Sequence, residues 1–235
     1  PGPSRGRHVV VRSIPRADAS TVDALGAAGA ATVHEAICRR GYLGPDLEAR
    51  LSGARIGGSA VTVLSHPGDK GMVHAAVEVC QPGDVLVVAN TAPSTHGMFG
   101  DLLATSLQVR GVRGLVVDAG IRDLTDLREM GFPVWSGHVS CQGTVKSTPG
   151  SVNVPIAIGG VTIEPGDVIC ADDDGVVVVP RAEAAWALEQ SQARLSREEV
   201  ARSRLAAGEL GLDFYGLRDE LEAMGVEWVD SAEDL

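Results

Sequence analysis

The chain has 235 residues, with 20 Lys+Arg against 31 Asp+Glu and a formal net charge of −11. At 44% hydrophobic and 22% charged it can bury a sizeable core as one large domain or two small ones, which excludes an intrinsically disordered chain. The acidic balance and 3% aromatic content disfavour a surface that tracks phosphates or stacks bases, and no apolar run reaches the ~18 residues of a membrane span.

In chain order, Asp18 to Leu25 is predicted as a first helix, started by Asp18 or Ser20 and followed by Gly26. Thr32 to Arg40 is a second, ended by Gly41. Ala54 to Ser65 reads as a strand pair broken at Gly57-Gly58, and Gly71 to Cys80 as an amphipathic helix closed by Pro82-Gly83. Asp84 to Ala89 is a continuous apolar run, as in buried parallel strands. A loop (Asn90 to Gly100), a helix (Asp101 to Arg110), a strand (Gly114 to Ala119), a helix (Asp123 to Met130) and a strand (Pro133 to Ser136) follow. This is a parallel β-α-β-α-β unit with right-handed crossovers.

From Cys141 to Val179 turn signals separate short strands at Val152–Ile158, Val161–Ile163, Asp167–Ala171 and Gly175–Val179, which predicts a β-meander. Asp172-Asp173-Asp174-Gly175 lacks calcium-loop spacing and reads as a solvated turn. Arg181 to Ala207 is a long charged helix, Asp213 to Met224 a shorter one, and Val226 to Val229 a candidate closing strand.

The N-terminal stretch PGPSRGRHVVVRSI has no apolar core of signal-peptide length. The four cysteines, Cys38, Cys80, Cys141 and Cys170, form no CxxC pair and read as small buried reduced thiols. The expected compartment is the cytoplasm.

Ligands of parallel sheets bind beyond the carboxyl ends of the strands. Two such junctions carry Gly97-Met98-Phe99-Gly100-Asp101-Leu102-Leu103 and Asp118-Ala119-Gly120-Ile121-Arg122-Asp123. Free amides near Leu102 and Leu103 suit a carboxylate, Gly100 permits close approach, and Arg122 offers a planar fork for an oxo acid. Asp123 is a hard oxygen ligand for Mg²⁺, and Asp101 a group to hold or deprotonate water. Alternatively, both aspartates are helix N-caps. His96 and His138 lie in loops near these junctions, and Arg39 and Arg40 are candidates for a second substrate carboxylate.

Asp101, twenty intervening residues and then Arg122-Asp123 resemble the D-x20-R-D motif of the class II pyruvate aldolases that cleave 4-hydroxy-4-methyl-2-oxoglutarate and 4-carboxy-4-hydroxy-2-oxoadipate. The stretches TVHEA (32–36), GDLLATS (100–106), RGLVVDAGIRD (113–123), QGTVK (142–146) and IEPGDVICADDDGVVVV (163–179) are similar to that family too. The resemblance implies an α/β, RraA-like fold: a β/β/α sandwich-type catalytic domain over 1–180 and a C-terminal helical extension over 181–235, packed on a neighbouring subunit. It further implies a homotrimer or homohexamer with the active site between subunits. Asp123 would then be the ligand of Mg²⁺ or Mn²⁺, Arg122 would bind the pyruvate part, and Gly100, Asp101, Leu102 and Leu103 would contact the substrate. Asp101, Glu35 and Glu198 (or its neighbour Glu199) would serve the catalytic water.

The reaction breaks a C–C bond next to a ketone and leaves a carbanion, which is stabilised as a metal enolate or through a lysine imine. Of the 20 cations only Lys70 and Lys146 are lysines. Lys70 reads as part of a polar turn and Lys146 as the Schiff-base alternative, so the metal route is the expectation. The partner is then a small oxo-carboxylate, not nucleic acid. The alternatives are a dedicated oxaloacetate decarboxylase, an aldolase for another 2-keto-4-hydroxy acid, and a non-catalytic ribonuclease-binding regulator of the same fold.

Overall fold

A computed structural model describes residues 7–234; residues 1–6 of the N-terminal stretch and Leu235 at the end of the expected extension lie outside the described residues. The chain forms two compact units, Pro1–Gln192 and Ala193–Leu235.

The first unit begins with α1 (Ala19–Ala28) and α2 (Ala30–Ala36). Asp18 caps α1 by accepting from Thr21 N at 3.0 Å. After β1 (Glu48–Ala49) and β2 (Ile56–Ser65) come α3 (Gly71–Val79), β3 (Asp84–Asn90), β4 (Gly97–Phe99), α4 (Asp101–Gln108), β5 (Gly114–Ile121), α5 (Leu124–Glu129) and β6 (Val134–Val139). Then follow β7 (Ser151–Val152), the hairpin β8 (Ile156–Ile158) and β9 (Val161–Ile163), and the hairpin β10 (Val168–Asp172) and β11 (Gly175–Val179).

The main sheet runs in the order β1-β6-β5-β3-β2-β10-β11, with β4 added beside β5 and β7 beside β2. β2, β3, β5 and β6 are parallel neighbours, and the flanking strands are antiparallel. The parallel strands lie side by side in chain order, so right-handed crossovers place α3, α4 and α5 on one face. Val73, Leu107 and Leu127 of those helices share a core with Val61, Val88 and Val117 of the sheet. The other face packs Val87, Val116 and Trp135 against Ile156, Ile163, Leu43 and Leu47. Helices, mixed sheet and small hairpin form the three layers of the expected sandwich.

Several local expectations are corrected. Gly57-Gly58 does not break a strand: both residues sit inside the ten-residue β2, paired with Cys170 and Ile169. The glycines are there because α1 lies directly on the strand. A Cβ at Gly57 would stand 2.9 Å from Gly26 Cα. The segment Val152–Ile158 is two strands in different sheets, parted where Asn153 adopts a left-handed φ of 56°. The meander is therefore two hairpins.

The aspartate turn is not merely solvated. Asp172 is buried, accepts from Ala30 N at 3.0 Å and so caps α2, while Trp135 Nε1 donates to its carbonyl at 2.8 Å. Cys38 and Cys141 are exposed; only Cys80 and Cys170 are buried, where burial pushes each thiol up to about 12.

The last long helix, α6 (Ala184–Ala206), contributes Ala184 and Ala187 to a core with Val168, Val177 and Val179. The unit boundary therefore falls within it. The second unit adds α7 (Gly211–Phe214) and α8 (Leu217–Ala223) in place of one helix. Val226 to Val229 is no strand; Trp228 lies under the Arg218 guanidinium, 5.1 Å from its carbon to the ring centre. No helix among the described residues is long and apolar enough to cross a membrane.

Candidate active site

The strand ends gather the expected residues. β4 pairs with the end of β5, Gly97 opposite Gly120 and Phe99 opposite Ile121. Arg122 N donates to Phe99 O at 2.9 Å. This brings Gly100-Asp101 against Arg122-Asp123. The glycines are required by contact: a Cβ at Gly120 would lie 2.8 Å from His96 O.

Neither aspartate is an N-cap by its side chain. Gly100 holds the cap position of α4 and Asp101 is its first helical residue. Asp123 precedes α5 in a left-handed conformation (φ 56°, ψ 40°) and makes no capping hydrogen bond. Its carboxylate instead accepts from Arg122 Nε at 3.2 and 3.3 Å and lies over Gly100, where a Cβ would collide with Oδ2. A non-glycine residue held in this region costs ~1 kcal/mol or more, and such strain gathers at functional sites. The capping alternative fails for Asp101, while Asp123 occupies the cap position of α5 without capping it through its side chain.

The pair stands between two depressions. One, of about 260 Å³, is bounded by Val139, Ser140 and Cys141. The other, of about 130 Å³, has Gly100, Asp101, Leu102 and Leu103 on one wall. The first helical bond of α4 runs from Ala104 N to Gly100 O, so the amides of Asp101 to Leu103 precede the ladder and remain available to an anion. Leu102 is 80% exposed.

The same pocket is also lined by Lys70, His74 and Lys146, of which only Lys146 is a site candidate from the sequence. Burial, then Lys146 and Arg122, hold the Lys70 ammonium below the usual lysine range, against the opposing pull of Asp123. Burial, then Lys146 and Lys70, lower the His74 imidazole. Lys70 follows the carboxyl end of β2, so the strand-end rule that singled out Asp101 and Arg122 applied to it as well.

Other expected residues stand elsewhere. Glu35 is on α2 and accepts from Arg39 Nε at 3.0 Å. Arg40 pairs with Glu183 at 2.8 Å. His96 packs beside Gly68, and neither it nor His138 lines this pocket. Glu198, in the second unit, pairs with Arg194 at 2.7 Å, and Glu199 with Arg202 at 3.5 Å.

Among the described residues no group of three or more His, Cys, Asp or Glu forms a protein-built metal cage. The chemistry that fits Asp123 is that of a hard cation held by one carboxylate and otherwise by water or substrate oxygens, as Mg²⁺ commonly is.

Fold and pocket define an α/β protein with a pocket of mixed charge, lined by Lys70, Lys146, Arg122, Asp101 and Asp123, at the carboxyl ends of its parallel strands. The chain belongs to the RraA-like family, described as Aldolase/RraA, whose model matches residues 21–178. A protein of Halalkalibacterium halodurans named "Putative 4-hydroxy-4-methyl-2-oxoglutarate aldolase" is 31% identical over 158 residues, 67% of this chain and 75% of that protein. One of the same name from Ectopseudomonas mendocina is 34% identical over 126 residues, 54% of this chain and 77% of that protein. The crystal structure of Streptomyces coelicolor RraAS2, described as an unusual member of the RNase ES inhibitor RraA protein family, is similar with a TM-score of 0.73 and 34% identity. It covers 81% of this chain and 99% of that one.

Proposed function

We propose that the chain is a class II pyruvate aldolase acting on 4-carboxy-4-hydroxy-2-oxoadipate and 4-hydroxy-4-methyl-2-oxoglutarate, with oxaloacetate decarboxylation as a side activity. The observation that carries this reading is the Asp123 carboxylate, unused by its own helix, clasped by Arg122 and seated over Gly100 beside Asp101. A divalent cation, Mg²⁺ or Mn²⁺, held by Asp123 would supply Lewis-acid stabilisation of negative charge on the substrate.

The chain's own groups do the rest. The α4 amides and Arg122 bind the 2-oxo acid end. Asp101 accepts the C4 hydroxyl proton, directly or through one water. The C3–C4 electron pair moves onto the 2-oxo group as an enolate while C4 becomes a carbonyl. Arg122 favours the charge that develops there, which is binding stronger in the transition state than in the ground state. The proton is returned at C3, giving pyruvate. In this reading Glu35 and Glu198 approach the water from a neighbouring subunit of a homotrimer or homohexamer, in the cytoplasm.

The test is pyruvate release from both aldols and from oxaloacetate, with and without EDTA and added Mg²⁺. Cleavage that survives complete metal removal, or that borohydride abolishes by trapping Lys70 or Lys146, rejects the metal route. A metal-loaded chain that releases no pyruvate from any of the three leaves the second reading, a ribonuclease-binding regulator, which the similarity to RraAS2 favours.

A further inference from the structure

Lys70 and Lys146 are the only lysines of the chain, and they meet in one pocket. The backbone around them is tied together. Val145 N donates to Gly68 O at 2.9 Å, and Lys70 N donates to Val145 O at 3.0 Å. The bridge residue opposite Val145 is Asp69, 1% exposed. Its carboxylate accepts from Gly71 N at 2.8 Å, Ser147 N at 2.7 Å and Thr148 N at 2.6 Å. No ion pair among the described residues involves Asp69. A buried carboxylate is thus committed to fixing the two segments that carry the ammonium groups.

The result is an excess of positive charge. Lys70, Lys146 and Arg122 face Asp101 and Asp123, and Asp123 is already engaged by Arg122. Lys70 and Lys146 enter no ion pair among the described residues, whereas Arg12, Arg39, Arg40, Arg204 and Arg218 each pair with a carboxylate. Like charges held together repel, and the arrangement is favourable when an anion lies between them.

We propose that Lys70 and Lys146 form a second anion subsite of this pocket, which takes the distal carboxylate of a 2-oxo di- or tricarboxylate whose 2-oxo acid end lies at Arg122 and Asp123. The proposal rests on the 2-oxo acid reading above and adds what selects a polycarboxylate over a monocarboxylate. Asp69 is the positioning residue of the subsite, acting through the backbone on either side of each lysine.

The experiment is equilibrium binding of 2-oxoglutarate and 2-oxopentanoate to the full chain in Mg²⁺ at low ionic strength. The two acids have equal carbon chains and differ at the distal carboxylate. The wild type is expected to bind 2-oxoglutarate about tenfold more tightly or better. The ratio should fall below about twofold in K70Q/K146Q, whose pocket has lost both charges, and persist in K70R/K146R. Equal affinity in the wild type, an unchanged ratio in K70Q/K146Q, or a ratio lost equally in K70R/K146R overturns the proposal. That last outcome would mean the amines themselves, not their charge, are needed. Pyruvate release reports separately on the reaction: a chain that discriminates between the two acids but cleaves no aldol keeps the subsite and loses the aldolase reading.

Discussion

The Asp123 carboxylate lies so close over Gly100 that no Cβ fits between them. Gly100 has φ −161°, an extended conformation open to any residue, so alanine there meets no backbone strain. Its penalty is the collision with Asp123 Oδ2, with Arg122 Cγ and Asp123 Cγ also close at 3.2 Å. Gly100→Ala should therefore displace that carboxylate and lower kcat/KM for pyruvate release about 100-fold or more, since small misplacements at a reacting centre carry large costs. Circular dichroism should show the fold retained. An alanine variant with wild-type turnover would mean the carboxylate need not sit there.

Asp123→Gly separates function from stability. Glycine takes the left-handed conformation without a Cβ penalty, and the Arg122–Asp123 contact is half exposed and contributes little. Urea denaturation should find the variant equally stable or up to ~1 kcal/mol more stable, while Mg²⁺-dependent activity disappears.

Asp69 should confer acid sensitivity. Burial alone would raise its carboxyl, but the bonds from Gly71, Thr148 and Ser147 outweigh this and hold it below the usual range. A carboxylate lowered in the folded state contributes stability above its unfolded pKa of ~3.9, and that contribution is lost as pH falls through the folded value. Asp69→Ala should cost about 3 kcal/mol at pH 7, from stranding three backbone donors. The gap between wild-type and variant urea midpoints should narrow below about pH 4. A gap constant with pH would assign the loss to packing.

Arg16 tests a charge pair remote from this pocket. Its Nε and Nη2 donate to the buried Asp84 carboxylate at 2.8 Å each, and Gln81 N donates to the same group at 2.7 Å. Arg16→Met leaves that charge unpaired and should destabilise the chain by about 3 kcal/mol, with KM unchanged. A shift in KM would connect this end of the sheet to the pocket.

Much of this was legible in sequence. The runs DVLVVA and GLVVDA are apolar on both faces, which only a doubly covered parallel strand requires, and glycine punctuation delimits their helices. The strand ends then pointed to Asp101, Arg122 and Asp123. What was not legible depended on contacts distant in sequence. Gly57-Gly58 resembles a break until Gly26 of α1 is seen against it. The Asp172 turn resembles any polar loop until Ala30 donates into it. Lys146 reaches the pocket because Asp69, far earlier in the chain, holds the amides of Ser147 and Thr148.

The confinement of lysine to one pocket also makes that pocket chemically addressable. Among the side chains of this sequence an amine-reactive reagent meets only Lys70 and Lys146 as primary amines, and a lysine-specific protease only two scissile positions. Labelling or cleavage at those positions, followed by mass spectrometry, reports occupancy of the pocket without any assay of turnover.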